Sequence, residues 1–395
     1  MMNLSKSLAL VCFIAGTFTL MFFLYKAGID GYSVSTLRKT NYAVTGQFGD
    51  FVGGVVGTFF ALTGTLLIYL TFQEQANENK RSAFEASFFE MIKLHRGNVS
   101  ELQYRKEKNG EDSLYENRQV FRVMFKEFIE CYREVRKYSR SKDVNDYVTT
   151  KYQAKLKEIV NSVNPNISLI EMARIDIAYS IFFYGIGEDG ESVIRKNVQT
   201  RYNPEYYFKL LYFIKLKPKR SNRDRYKTWI KVRELDLKGL HSLIDELYKY
   251  RKHPYRIESP SLLAAELKMH LPYEKYYGGH QFRLGHYFRH MYQSYKYLHN
   301  HKDVKDCDRY SYGKMYRAQL STYEQALLFI NSISSLGMKW EYTPEKAEGN
   351  APAKLITEYN IIKNLPGGHL SGIHYKTYYR NVAYESDEQI FTSNT

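Results

Sequence analysis

Cysteine is nearly missing from this chain of 395 residues: only Cys12, Cys131 and Cys307 occur. Three thiols so widely spaced build no disulfide framework and match no zinc-ligand spacing, and they fit a reducing compartment. Acid is also short, with 42 Asp and Glu against 57 Lys and Arg, a net charge of +15. A chain that basic is drawn to polyanions, either nucleic acid or an anionic lipid surface. Catalytic motifs of high specificity are absent too. There is no GxxxxGK[ST] phosphate loop, no nucleophile elbow, no HExxH and no paired CxxC. No cofactor is expected. With 25% charged residues and a mean hydropathy of −0.49 the chain is no polytopic transporter. Its 16% aromatic content, 37 of them Tyr, argues against wholesale disorder.

The averages hide two uncharged runs near the N-terminus. Leu8 to Tyr25 (LALVCFIAGTFTLMFFLY) is bracketed by Lys6 and Lys26. It just reaches the length a helix needs to cross a hydrocarbon core of about 30 Å. It is longer than a usual signal-peptide core, and no small-x-small cleavage site follows, so it reads as an uncleaved anchor. Phe51 to Phe72 (FVGGVVGTFFALTGTLLIYLTF) is the stronger span. The expected organisation is a transmembrane hairpin over 1–72, with helices near 8–25 and 51–72, and a basic cytoplasmic domain over 73–395.

Small residues recur every four positions in the second span: Gly49, Gly53, Gly57, Ala61 and Thr65. On a helix this makes a slowly turning stripe without bulk, along which another backbone can approach closely in lipid. The partner is either the first helix or the same stripe in another copy. Asp50 lies at the lip of the span, with Gln47 one turn earlier, either solvated or lining the mouth of an assembled pore. The flanks carry Lys6, Lys80, Arg81, Lys93 and Arg96. The connection, about 27–47, carries Lys26, Arg38 and Lys39 offset by Asp30 and Asp50. Positive-inside counting leans towards cytoplasmic termini, and the free thiols agree.

The remainder reads as all-α. Gln73 to Leu102 extends the second span with Phe84, Phe88, Met91, Ile92 and Val99 at helical spacings, and Val120 to Tyr138 repeats the pattern. Further helices are expected near 145–163, 168–184, 204–216, 226–251, 259–270, 284–300, 314–333 and 353–364. Breaks fall at Asn109-Gly110, at 185–190, near Pro218 and at 345–352.

Three stretches could carry chemistry. The first is a basic run, Lys215, Lys217, Lys219, Arg220, Arg223, Arg225 and Lys227 against a single Asp224, after the aromatics Tyr206, Tyr207, Phe208, Tyr212 and Phe213. Such cations neutralise phosphates or headgroups, and aromatics stack on bases; a solvated loop has the same composition. The second, Gly278 to His301, holds His280, His286, His290, His299 and His301. His286 and His290 are one helical turn apart, but no carboxylate stands at a matching position, so no metal is expected. Arg283 and His290 satisfy the loose arginine–six residues–histidine spacing of HEPN ribonucleases, with His286 and Arg289 adjoining. The plain alternative is a core-facing helix whose Arg and His satisfy buried carbonyls and carboxylates. The third, Tyr310 to Ile333, reads as a core helix through Leu320, Leu327, Leu328 and Ile330.

Together the two membrane helices, FFEMIKLHRGNV at 88–99, GHYFRHMYQSYKYL at 285–298 and YGKMYRAQLSTYEQALLFINSIS at 312–334 resemble the phage abortive infection (AbiC-like) family of bacteria. Proteins of this kind are similar to the two-transmembrane effectors of bacterial retron anti-phage systems. The resemblance implies antiviral defence by cell suicide or growth arrest at the inner membrane. It also implies a reverse transcriptase and its DNA–RNA hybrid as inhibitor. It brings no agreed catalytic residues.

Overall fold

Both uncharged runs become long helices in a computed structural model, which describes all residues except 1, 33–40, 109–110, 253–259, 270–272, 345–352 and 388–395. The chain divides into two units, Met1–Ser87 and Phe88–Thr395. In the first, α1 spans Met2–Ile29 and α2 spans Tyr42–Phe51. A wider π-helical turn, Val52–Val56, leads into α3, Gly57–Ser100. Two helices are thus long and apolar enough to cross a membrane. The second starts at Tyr42 rather than Phe51, because the Asn41 side chain caps it by accepting from the Val44 amide (3.4 Å). Gln47 and Asp50 therefore lie inside a helix and the connection is shorter than expected. Arg38 and Lys39 lie outside the described residues.

The hairpin is antiparallel. Phe23 stacks on Phe51 (4.1 Å between centroids), Phe13 sits 5.8 Å from Phe60, and Lys6 pairs with Glu74 at 2.9 Å. Its seam buries Ala9, Cys12 and Gly16 on α1, and Val56, Thr63 and Leu70 on the opposite helix. The close approach falls at Gly16, where an added Cβ would stand 3.0 Å from Phe59 Cβ. The stripe expected from sequence is not in this seam. A Cβ added at Gly49 or Gly53 meets nothing within 4 Å, and Ala61 and Thr65 are exposed. The first helix is not its partner. A four-residue step overshoots an α-turn of 3.6 residues by about 40°. The wider turn at Val52–Val56 falls within the stripe and changes that drift locally. Thr58, Thr63 and Thr65 donate to the carbonyls of Gly54, Phe59 and Ala61 (2.5, 2.8 and 2.9 Å), so these hydroxyls need no water.

In the second unit the last turns of α3 lead to a β-hairpin, β1 (Gln103–Lys108) and β2 (Glu111–Glu116), with Gln103 opposite Glu116. The sequence pattern predicts only a break there. Asn-Gly between two short runs is itself a hairpin signal, though both turn residues lie outside the described residues. Then come α4 (Arg118–Tyr138), α5 (Thr150–Asn161), α6 (Leu169–Tyr184) and α7 (Glu188–Val198). Next are α8 (Pro204–Lys215), α9 (Arg223–Glu234), α10 (Leu237–Lys252) and α11 (Leu262–Met269). Last come α12 (Gln281–Asn300), α13 (Asp306–Arg317) and α14 (Thr322–Ile333), then two single turns, Leu355–Glu358 and Tyr375–Tyr378. Helices α4, α6 and α14 pack mutually, and α6 is buried from Ile175 to Phe183 on every side.

Caps explain where the expected helices divide. The stretch 226–251 becomes α9 and α10, since Asp236 accepts from the Gly239 amide at 2.8 Å. Ser321 and Glu324 form a capping box that separates α13 from α14 within 314–333. The acid-rich start at Glu188 begins α7 inside the expected break at 185–190. The helix expected over 353–364 shrinks to Leu355–Glu358 before Asn360 at φ 48°.

Candidate functional site

A backbone crossing seats the histidine-rich stretch on the core. Gly185 (φ +81°) and Gly279 (φ +87°) are left-handed, and a Cβ on either would lie 2.6 Å from the other segment's backbone. Only glycine permits this approach. The Ile186 amide donates to the Tyr277 carbonyl (2.9 Å) and the His280 amide to the Phe183 carbonyl (2.8 Å). His280 then meets the inward face of α4, where Glu127, Glu130 and Glu134 recur at i, i+3 and i+7.

Each of these acids is held. His280 Nε2 is 3.2 Å from Glu127 Oε1, while Tyr104 Oη (2.8 Å) and Lys106 Nζ (3.1 Å) donate to Oε2. Burial opposes the Glu127 charge, but His280, Lys106 and the Tyr104 hydroxyl outweigh it and hold the carboxyl below its ordinary range. Lys217, only 1% exposed, donates to Glu130 (2.8 Å) and Glu134 (2.7 Å). Tyr276 and Tyr277 donate to the same two carboxylates, each at 2.7 Å. Burial works against the Lys217 charge, yet Glu134 and Glu130 raise its pKa. Burial lifts Glu134 despite Lys217, whereas Lys217 and Tyr276 overcome burial at Glu130 and lower it. With their acceptors taken, the three carboxylates lock β1, α4 and residues 217–280 together.

The four residues singled out on α12 do not converge. Arg283 lies over the Tyr104 ring (4.6 Å) and donates from Nε to the Gln103 carbonyl at 3.1 Å. His290 Nε2 is 2.8 Å from the Met91 carbonyl on α3. Seven residues along a helix are separated by about 10 Å of rise, and these two side chains serve different neighbours. His286 is exposed and shares a cavity of about 350 Å³ with Arg283, Glu101 and Phe282. Arg289 is exposed, not core-facing.

Sequence reasoning assigned no role to His95, which is 1% exposed between the rings of Tyr287 and Tyr316 (5.1 and 5.0 Å). Glu324 Oε1 stands 3.9 Å from its Nε2, and neither ring nitrogen has a hydrogen-bond partner among the described residues. Burial first, then His290 and Arg118, drive its pKa down to about 3. Glu324 itself accepts from Tyr287 Oη (2.8 Å) and the Ser321 amide (2.7 Å).

The basic run splits. Lys217 is in the lock above. Arg225 is buried, donating to the Leu267 carbonyl at 2.6 Å, and Lys215 and Lys219 pair with Glu191 and Glu274. Arg220, Arg223 and Lys227 are exposed, the last 3.8 Å from Asp224. The i, i+3, i+7 acids of Val120–Tyr138 were the available signal for what Lys217 meets.

Residues 279–370 match a family model described as "Putative phage abortive infection protein". The matched segment begins at the Gly279 crossing and carries α12, α13 and α14. The resemblance to the abortive infection family is therefore supported over this segment, less than a quarter of the chain, and it supports a role in phage defence. No curated protein and no solved structure matches the chain.

Proposed function

We propose that the chain is a membrane effector of bacterial abortive infection, most simply of a retron. A reverse transcriptase and its DNA–RNA hybrid restrain it, and on release its hairpins associate and make the inner membrane leaky. Both termini lie in the cytoplasm on this reading. The observation that carries it is the open stripe. Gly49, Gly53, Ala61 and Thr65 are exposed on the hairpin while its own seam is satisfied elsewhere, which leaves the stripe for another copy. Associated hairpins would place Asp50 of each copy around a common mouth. Anchored cleavage of RNA gains no support from Arg283 and His290, which serve separate neighbours.

The test is induction with membrane potential and total RNA followed together. Gly53→Leu with Gly57→Leu adds bulk on the stripe without hindering insertion. This variant is expected at normal membrane levels, with no depolarisation and no phage restriction. Ile68→Leu, which exchanges one exposed bulky side chain for another of equal volume, is the control. Phe59 is unsuitable because it packs on Gly16. Depolarisation by the double variant equal to wild type, or RNA loss before depolarisation, would overturn the reading. Reporter fusions should show a cytoplasmic C-terminus and a periplasmic Ser35, a position outside the described residues.

A further inference from the structure

The inward face of α4 is neutralised, but its outward face is not. Arg122, Lys126, Arg133 and Lys137 repeat along it at i, i+4, i+11 and i+15, and none has an acidic partner among the described residues. These cations rim two recesses that share Lys126 and Glu130. One, of about 600 Å³, adds Arg233 to Lys126, Arg133 and Lys137. The other, of about 580 Å³, adds Lys106, Arg220 and the half-buried ring of Tyr115 to Arg122 and Lys126. Acid in these walls is mostly spent: Glu130 and Glu134 are bound by Lys217, leaving Glu107. Burial, then Arg140 and Arg233, lower the pKa of Lys137, and Glu234 only partly offsets this crowding of like charge.

We propose that the outward face of α4 is a groove for a single strand of nucleic acid, whose phosphodiesters lie along Arg122, Lys126, Arg133 and Lys137 and one of whose bases stacks on Tyr115. From Arg122 to Lys137 the helix rises about 22 Å. At the stacked-helix spacing of about 3.4 Å per phosphate that is room for at most some six phosphates, and for fewer on an extended strand. An unpaired base can reach a recessed tyrosine ring; a base held inside a duplex cannot. A bilayer offers a flat plane of headgroups and would meet protruding cations better than cations set around recesses. The groove is separate from Arg223 and Lys227, and the inference stands whatever the hairpin does to the membrane.

The full chain in phosphatidylcholine nanodiscs tests it, with fluorescein-labelled dT20 followed by anisotropy across a NaCl series. Each phosphate contact on a single strand contributes about 0.7 to the slope of log K against log salt. Neutralising all four positions, R122Q/K126Q/R133Q/K137Q, should flatten that slope by about 3 and weaken binding several hundredfold at 0.1 M salt. Tyr115→Ala should cost about tenfold with the slope unchanged. R223Q/K227Q should leave both alone. If the fourfold variant does not fold by circular dichroism, R122Q/K126Q and R133Q/K137Q decide, each flattening the slope by about 1.4. A slope unchanged by the α4 variants overturns the proposal. So does wild-type affinity in Tyr115→Ala, or α4-dependent binding of phosphatidylglycerol vesicles without binding of dT20.

Discussion

In Met1–Ser87 large apolar side chains point outward, with Phe18 69% and Ile68 59% exposed, while Ala9, Cys12, Gly16 and Thr63, with Val56 and Leu70, fill the seam. In Phe88–Thr395 the arrangement is inverted: Glu127, Asp176, Lys217 and Glu324 are inside and the cations of α4 are outside. On the proposed membrane reading, each unit puts outward what its surroundings solvate. Lipid solvates Phe and Ile as well as protein does, so the hairpin is held by close approach. In water the body buries its aromatics and can keep charge inside only in pairs. Sensitivity to mutation should therefore be to bulk in one unit and to charge in the other.

The largest effect should come from Lys217. Lys217→Met keeps most of the volume but leaves the buried Glu134 and the half-buried Glu130 facing each other without the ammonium between them. Removing one partner of a buried ion pair costs about 3–5 kcal/mol. Urea unfolding of the detergent-solubilised chain, read by near-ultraviolet circular dichroism of its tyrosines, should show that loss. Ile68→Leu in the hairpin should leave the midpoint where it is. Less than about 1 kcal/mol lost at Lys217 would erase the contrast between the units.

His95 should move the other way. Phe fits among Tyr287 and Tyr316 and removes two buried nitrogens that lack partners, a relief of about 1–3 kcal/mol. The pH dependence has a definite sign. The folded pKa, about 3, lies below the unfolded value of 6.5, so between these the unfolded chain holds more protons. The His95 contribution is full above pH 6.5 and is lost as pH falls towards 3, by up to about 1.4 kcal/mol per pH unit. His95→Phe should unfold later in urea and show a shallower acid limb. An acid limb identical to wild type would mean His95 is solvated or paired after all.

The same contrast governs what the sequence could tell. The hairpin was legible because a span is written locally, as an uncharged run of sufficient length. What was not legible there is backbone detail: the π turn at Val52–Val56, and the choice of Gly16 rather than the stripe for the seam. In the body, helix positions were legible from apolar spacing, but α6 is buried all round and so has no face to read. Lys217 looked like one more cation in a basic run because its partners Glu130 and Glu134 lie 87 and 83 residues earlier. His280 meets Glu127 across 153 residues. Pairing over such distances leaves no periodic trace. The Asn109-Gly110 hairpin did leave one, weakened because QYRKEK and EDSLYE carry little apolar alternation.

The smallest effects discriminate most finely, on two adjacent residues of α12. His290 is half-buried and reaches the Met91 carbonyl, so His290→Ala should cost about 1–2 kcal/mol by loss of that bond and its packing. Arg289 is exposed and should cost no more than about 0.5 kcal/mol as alanine. If stability alone links this helix to phage restriction, only His290→Ala should weaken protection, and lower temperature should restore it. Loss of protection in Arg289→Ala, with an unchanged unfolding midpoint, would break that account. A cation that supports nothing in its own fold but is needed for defence must act on a partner. The outward face of α12, with Arg289 and His286 together, would then be the place to look for it.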